Sequence, residues 1–363
     1  MLIDAFFNSI KNEIMNIVAD VKITVGMTTY NRPEFLKEAV CSVLQQTYRN
    51  FELIISNDYV ATPVTIESLG IEGDERIQIV NQDPNLGEIK NMNYLLDNAQ
   101  GEWFVWLGDD DLFHPEFLMR AYQAILSNEN SNIVGFFSNY RAASNPDGVF
   151  PQHLKGSKEL LYDAPGFLKG YSSREIPLIG CYGIMRTVTL REVGGIPRLG
   201  NSFGPYGDTL VPILLVERGG LCWLNEEMIF LRTHPESLSC KSSEFSAYTT
   251  AEDDFLKNID RVCSSKLVNI VAGKIIANMV RWFSADEWAV LHRDTSLRKF
   301  ALFRKYIKYQ ISVNLPRLSI QNKIMHIIFL FYFLGVRLLV DLYRALRTFL
   351  KNIVITNQID GKS

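Results

Sequence analysis

VKITVGMTTYNRPEFLKEAVCSVLQQTYRNFELIIS, from Val21 to Ser56, decides the fold class. Val21 to Thr28 is a β-branched, apolar run and reads as a buried strand. Pro33 sits near the start of the next segment, where its missing N–H costs nothing. Phe35, Leu36, Ala39, Val40 and Val43 then recur at helical spacing. Phe51 to Ser56 is a second apolar run. Strand, helix and strand in this order form a βαβ unit, which implies parallel pairing.

The alternation continues toward the C-terminus. Arg76 to Val80 reads as a third strand, Glu88 to Asn98 as a helix and Glu102 to Leu107 as a fourth strand. Pro115 to Leu126 suits another helix, and Asn132 to Ser138 another strand. The expected class is α/β with a mostly parallel central sheet. Ligands of such sheets sit beyond the carboxyl ends of the strands. That rule selects four loops: Thr28–Arg32, Ser56–Val60, Asn81–Gly87 and Gly108–His114. Beyond Ser138 the pattern loosens. Arg141 to Gly170 reads as a surface excursion, Leu178 to Met185 as a strand, and Leu221 to Leu231 as one or two more. Asp253 to Ile311 is helical in flavour, and Pro316 interrupts. On the N-terminal side, Leu2, Phe6, Ile10, Ile14 and Val18 form the stripe of a packing helix. That segment lacks the basic and apolar regions of a signal peptide.

Composition narrows the classes further. The chain has 363 residues, 47% hydrophobic and 21% charged, which excludes disordered, collagen-like and disulfide-scaffold proteins. A net charge of −3 gives no case for nucleic acid. Five cysteines without metal or redox spacing read as reduced thiols of a cytoplasmic protein. The average hides an asymmetry. Thr295 to Ser363 holds twelve basic residues and two acidic ones, a balance of +10, and leaves −13 for the rest. A basic tail on an acidic body points to an anionic partner for the tail alone.

Three loops could carry chemistry. Asp109, Asp110 and Asp111 directly follow the apolar strand WFVWL. Adjacent carboxylates repel one another unless a cation compensates, and Mg²⁺ or Mn²⁺ takes one or two carboxylates plus phosphate oxygens. The plainer alternative is an acidic turn capping the helix near Pro115. TVGMTTYNRPEFL runs from strand through a polar loop into a helix, a junction whose N–H groups can hold phosphates. It contains neither GxGxxG nor GxxxxGK[ST], so the usual dinucleotide and P-loop fingerprints are absent. Asn57 and Asp58 end the second strand, where a ribose or base could be bound, although Asn-Asp is also ordinary turn chemistry.

TYNRPEFLKEAVCSVLQQTYRNFELIISND followed by NLGEIKNMNYLLDNAQGEWFVWLGDDDLFHPEFL resembles the nucleotide-sugar-binding half of family 2 inverting glycosyltransferases. The resemblance runs from Val21 to about Tyr122, with its pieces in order: the Gln-Thr-Tyr turn, Asn85 and Gly87, Asn93, and the Asp cluster. It implies a GT-A fold with a helical C-terminal region, and a bacterial surface-polysaccharide setting such as capsule or O-antigen synthesis. The implied organisation is an N-terminal helix over 1–20 and a catalytic domain over 21–252. That domain divides into a nucleotide-sugar half, 21–138, and an acceptor half, 139–252. A basic helical region follows over 253–363. By resemblance, Thr28, Tyr30, Arg32, Asn57, Asp58, Asn85, Gly87, Asn93, Asp109 and Asp110 border the nucleotide sugar, a UDP-sugar being the expected donor. Asp111 and His234 are implied ligands of a divalent metal, Mn²⁺ or Mg²⁺. Asn57 stands where the family commonly has an acid.

The second half resembles the family more weakly. LREVGGIP, Leu190 to Pro197, looks like the turn preceding the family's catalytic segment. Asp208, 98 residues after Asp110, then matches the general base, although Gly207 replaces the usual Glu. On spacing alone Asp208 could equally be a helix N-cap. LRTHPESLS, Leu231 to Ser239, looks like the family's Arg-x-His-x-x-Ser-x-Ser tail, with Arg232 placed to hold phosphate oxygens.

Two alternatives stand beside this reading. One is an inactive nucleotide-sugar- or carbohydrate-binding module, which the departures at Asn57 and Gly207 allow. The other is a sugar-phosphate nucleotidyltransferase, which would carry a Gly-rich loop with a basic residue after its first strand, and TVGMTTYNR has none. The tail from Arg298 to Lys351 is expected on a membrane surface, the plainer alternative being a helical hairpin packed on the catalytic domain or in a dimer interface. Its longest uncharged stretch, Ile324 to Val336, is thirteen residues against the roughly 20 needed to span. Arg337, Arg344, Arg347 and Lys351 alternate there with leucines as in an interfacial helix on anionic lipid. The acceptor is expected to be a glycan or a lipid-linked molecule, the location the inner face of the cytoplasmic membrane, and a homo-oligomer is allowed.

Overall fold

The computed structural model describes residues 21–71, 73–128, 131–146, 148, 150, 159–177, 180–200, 206–235, 237, 245–263, 278–280, 283, 306, 309–319, 322–328 and 330. The chain divides into two compact units, Met1–Asn269 and Ile270–Ser363.

In the first unit one mixed sheet carries the architecture, nine strands among the described residues. β1 (Ile23–Thr29), β2 (Phe51–Asn57), β3 (Ile77–Asn81) and β4 (Trp103–Gly108) pair in parallel in the order β3-β2-β1-β4. Between them run α1 (Pro33–Leu44), the short α2 (Ile66–Leu69) and α3 (Glu88–Asn98). Ile23, Val25 and Met27 of β1 and Phe104 and Val105 of β4 are fully enclosed. A parallel strand covered on both faces must be apolar throughout, so these segments lack an in-out alternation. α1 buries Leu36, Ala39, Val40 and Val43, the stripe expected from spacing, with Pro33 in its first turn.

Past β4 the sheet changes direction. β5 (Leu112–Phe113) leads into α4 (Phe117–Ser127), and β6 (Ile133–Ala143) follows. β8 (Ile184–Arg186) is antiparallel to both β4 and β6, and β9 (Gly220–Arg232) runs parallel to β6 along its length. β9 also receives β5 and β7 (Leu160–Tyr162), both antiparallel. The region expected as a surface excursion is therefore partly structural. β7 and α5 (Ala164–Ser173) lie within it, and Phe167, Leu168 and Tyr171 of α5 are buried. The strand expected over Leu178–Met185 is only its last residues, and Leu221–Leu231 lies within one continuous strand. α6 (Thr187–Glu192), α7 (Gly207–Leu215) and α8 (Phe245–Cys263) complete the unit. Cys181 and Cys222 are buried free thiols, and Cys41 is an exposed one.

In the second unit a wide helical turn at Gln310–Asn314 tightens into Leu315–Arg317 around Pro316. His326, on a helix over 322–328, lies with Nε2 3.1 Å from Gln310 Oε1, both side chains buried. Among the described residues no helix is long and apolar enough to cross a membrane. The N-terminal helix expected over 1–20 and the cationic tail from 331 onward lie outside the described residues.

Candidate active site

The site is built at the carboxyl edge of β1, β2 and β4, where parallel sheets leave their strand ends open to ligands. After β1, Asn31 takes a left-handed turn (φ 56°), a conformation asparagine tolerates better than most residues, and Arg32 then precedes α1. This turn delivers three donors to one acid. Asp109 Oδ2 accepts from Thr29 Oγ1 at 2.7 Å and from the Tyr30 N–H at 3.2 Å, and Oδ1 accepts from Arg32 Nη1 at 2.9 Å. The same Arg32 nitrogen donates to Asp110 Oδ2 at 3.0 Å. Burial and the charge of Asp110 push the Asp109 carboxyl up, while Thr29 and Arg32 oppose them.

The three aspartates have different surroundings. Asp111 is 5% exposed. Its Oδ2 accepts from the Tyr182 hydroxyl at 2.6 Å and its Oδ1 from the Arg232 N–H at 2.8 Å. Burial, with Asp110 beside it, raises its carboxyl to about 7. Asp110 instead turns toward His234, whose Nε2 lies 2.8 Å from Asp110 Oδ2. Gly108 makes room for this turn: a Cβ there would fall 2.9 Å from Asp110 Oδ1 and 3.2 Å from the Tyr182 hydroxyl.

The structure thus brings His234 to Asp110 rather than to Asp111. Asp111, the expected metal ligand, ties β4 to the Tyr182 loop and β9, and both its oxygens are committed. Arg232 is likewise spent internally. Its Nε donates to the Asp110 carbonyl at 2.9 Å, it pairs with Glu38 of α1, and its guanidinium lies 4.5 Å above the Phe35 ring.

The second strand ends in a hydrogen-bonded turn. Asn57 Nδ2 donates to the Thr62 carbonyl at 2.9 Å and to Asn81 Oδ1 at 2.8 Å, and its Oδ1 accepts from the Tyr59 N–H. Asp58 accepts from the N–H groups of Leu86 and Gly87 at 2.7 and 2.8 Å, and Asn85 Nδ2 donates to its carbonyl. Both side chains fold the loops that shape the site. A cavity of about 90 Å³ results, lined among others by Thr29, Arg32, Asn57, Tyr59 and Thr62. Tyr30, 55% exposed, packs edge-on against Tyr59 beside it. Asn93, also expected at the nucleotide, exchanges two 2.9 Å hydrogen bonds with the backbone of Ile196 and so anchors the Gly194–Gly195 turn to α3. Thr28 is half-buried, and its neighbour Thr29 makes the bond to Asp109.

Asp208 enters from the far side of the sequence. It stands in the first turn of α7, one residue past the start, after Tyr206 at φ 68°. Gly180 allows this approach, since a Cβ there would overlap Asp208 Oδ2. Burial raises the Asp208 carboxyl, against the Thr209 N–H and hydroxyl, the latter 3.4 Å away. A further carboxylate went unremarked in the sequence. Glu88 opens α3, and burial together with Asp208 and Asp110, opposed by Arg32, raises its carboxyl to about 7. Glu88 and Tyr182 carried no sequence signal, because only long-range packing brings them to the aspartates.

Residues 24–186 match the profile of glycosyl transferase family 2. Over that segment the chain is similar to the family 2 glycosyltransferases. Sequence relatives agree: it is 28% identical over 184 residues to glycosyltransferase GlyA of Streptococcus pneumoniae, covering 48% of this chain and 26% of that one. An uncharacterized glycosyltransferase of Rickettsia bellii is 27% identical over 143 residues, 39% of this chain and 20% of that one. The chain thus spans about a fifth to a quarter of the length of these relatives. An uncharacterized glycosyltransferase of Haemophilus influenzae is 29% identical over 308 residues, 82% of this chain and 99% of that one. In fold, the chain is similar to S. aureus TarS 1–349, with a TM-score of 0.60 at 16% identity over 83% of this chain and 82% of that one. The architecture is that of the GT-A glycosyltransferases, as the resemblance implied. The matched segment contains the aspartate turn and ends before Asp208 and His234, which the tertiary structure adds to it.

Among the described residues, no three His, Cys, Asp or Glu side chains close into a metal cage. Asp110 and His234 form a pair, and a pair suits a hard cation that takes its other ligands from phosphate and water.

Proposed function

We propose that this domain transfers a sugar, with inversion, from a nucleoside diphosphate sugar to a hydroxyl of a glycan or lipid-linked acceptor. The observation that carries the reading is the convergence of Arg32, Asp109, Asp110 and His234 at one strand edge. The cavity beside Tyr59 is the seat for the base, walled by residues that Asn57 holds in place. The crystal structure of TarS with UDP-GlcNAc supports a UDP-sugar as donor.

The chemistry is a single in-line displacement. Asp208 takes the proton of the acceptor hydroxyl as it attacks the anomeric carbon, and its raised basicity suits that task. Arg32, fixed by two aspartates, faces the diphosphate end. Asp110 and His234 would hold Mn²⁺ or Mg²⁺, which neutralises the charge gathering on the leaving diphosphate. Holding donor and acceptor in near-attack geometry supplies much of the remaining rate. The test is thermal unfolding with UDP and GDP, each with and without Mn²⁺. A ligand that binds only the native state raises its apparent stability. The expected result is a rise with one nucleotide that Mn²⁺ enlarges, and no rise with either would overturn the reading.

The acceptor reading extends to the membrane, on the inner face of the cytoplasmic membrane in a surface-polysaccharide pathway. It is supported by the +10 balance of Thr295–Ser363 and by Ile324, Met325 and Ile328, which are 55%, 53% and 54% exposed on the helix over 322–328. Lys323 would meet anionic headgroups beside them. The full chain is expected to co-sediment with phosphatidylglycerol vesicles at low salt and to be released at high salt, because headgroup attraction is screened. Failure to co-sediment at low salt overturns this part alone.

A further inference from the structure

We infer that Asn93 is a positioning residue for Asp208: it fixes the Ile196–Pro197 backbone on which the first turn of α7 rests, and so sets where the base stands. This rests on the transferase reading and goes beyond it by naming the contact that aligns the base with the donor half.

The path runs through direct contacts. The Ile196 N–H donates to Asn93 Oδ1, and Asn93 Nδ2 donates to the Ile196 carbonyl, both at 2.9 Å. One side-chain amide thus satisfies both backbone groups of one residue, as a paired strand would. The preceding turn is shaped for this clamp. Gly194 and Gly195 take left-handed φ values of 87° and 66°, and a Cβ at Gly195 would overlap Asn93 Oδ1. Pro197 then presents its carbonyl to α7. A Cβ at Gly207 would overlap that oxygen and come within 3.3 Å of Ile196 Cγ2, which is the physical reason for a glycine there. Asp208 is the next residue. Its Oδ2 rests against Gly180, two residues before Tyr182, whose hydroxyl donates to Asp111 at 2.6 Å. The base therefore touches a loop tied to the aspartate turn and follows directly on a support tied to α3.

The other end of α3 belongs to the donor half. Asp58 accepts from the N–H groups of Leu86 and Gly87 at the entry to the helix, and the Ser56 hydroxyl donates to buried Asn91 at 2.6 Å. Arg191 of α6 closes the far end, donating to the Leu96 and Ala99 carbonyls at 2.8 and 2.7 Å. α3 is thus a rigid spacer between the end of β2 and the seat of Asp208, with Asn93 at the join. In-line displacement demands such a spacer, because a misplacement of about 1 Å costs ~10²-fold in rate. A functional group is held to that precision by a supporting shell of locked side chains, and Asn93 is locked at both ends of its amide.

The experiment measures diphosphate release by the full chain from UDP-glucose, UDP-galactose, UDP-N-acetylglucosamine and GDP-mannose with no added acceptor. Water then attacks the anomeric carbon, Asp208 takes its proton and the diphosphate leaves. The proteins are the wild type, Asn93→Ala, Asn93→Asp, Asp208→Asn and the double variant Asn93→Ala with Asp208→Asn. Asn93→Ala is expected to lower kcat by ~10- to 100-fold while affinity for bare UDP or GDP stays within about twofold. Asn93→Asp keeps the acceptor for the Ile196 N–H and loses only the donor, so its kcat should fall less. Without a base there is nothing to misplace, so on Asp208→Asn the alanine should cost at most about twofold more. The same kcat loss in both backgrounds, a parallel loss of diphosphate affinity, or an unchanged kcat overturns the role of Asn93. If Asn93→Ala does not fold, Asn93→Asp carries the same comparison. A wild type that releases no diphosphate from any of the four overturns the transferase reading itself.

Discussion

Asp208→Asn is expected to lower kcat by ~10²–10⁴-fold, the usual worth of a general base, while donor affinity stays nearly unchanged. The amide keeps the shape at the first turn of α7, so the helix start is preserved. What it loses is the ability to accept the hydroxyl proton. The pH profile supplies a second readout with a definite sign. Burial raises the Asp208 carboxyl, so the wild type should lose activity as pH falls through that raised value, because the protonated acid is no base. The acidic limb should vanish from the residual activity of the variant. A loss below tenfold with the limb intact would assign the proton to another group. Glu217 and Glu226 are the next carboxylates along the chain after Asp208. Glu217 lies 3.6 Å from Arg261 and Glu226 is 6% exposed on β9, whereas Glu88 shares electrostatic range with Asp208.

Asp110→Ala and His234→Ala are expected to abolish the effect of Mn²⁺ on nucleotide binding and to lower turnover at least 10²-fold, with little change in melting temperature. Their side chains face each other at 2.8 Å and are partly open, so truncation opens no large hole. Asp111→Ala should behave differently. It leaves the Tyr182 hydroxyl and the Arg232 N–H without their acceptor in an enclosed place, at ~1–3 kcal/mol for each unsatisfied group. Relief of carboxylate repulsion offsets part of that. The diagnostic is the contrast between stability and cation response, read by thermal unfolding with and without Mn²⁺. If Asp111→Ala kept its stability and lost the cation response while Asp110→Ala kept both, the metal would belong to Asp111.

The fold was legible in the sequence wherever local pattern and global packing agree. β1, β2 and β4 are enclosed on both faces, so their residues had to be continuously apolar, and α1 announced itself by helical spacing and by Pro33 near its start. The strand-end rule then picked the loops that hold Arg32, Asp58 and the aspartate turn. The pattern failed where short elements depend on neighbours distant in sequence. β7 and β8 have three residues each and exist because β9, and β4 with β6, pair with them.

Roles within the site were less legible than membership in it. The sequence by itself determined that carboxylates would crowd the end of β4, that a helix would start beside them at Pro33, and that Asp208 and His234 would be available from the second half. Only the tertiary structure decided which oxygen faces which donor. Asp111 is enclosed because Tyr182 and Arg232 arrive from chain segments 71 and 121 residues away, and Asp110 is left to His234. Secondary structure is set by neighbours along the chain, and charge distribution in a cleft by neighbours across it.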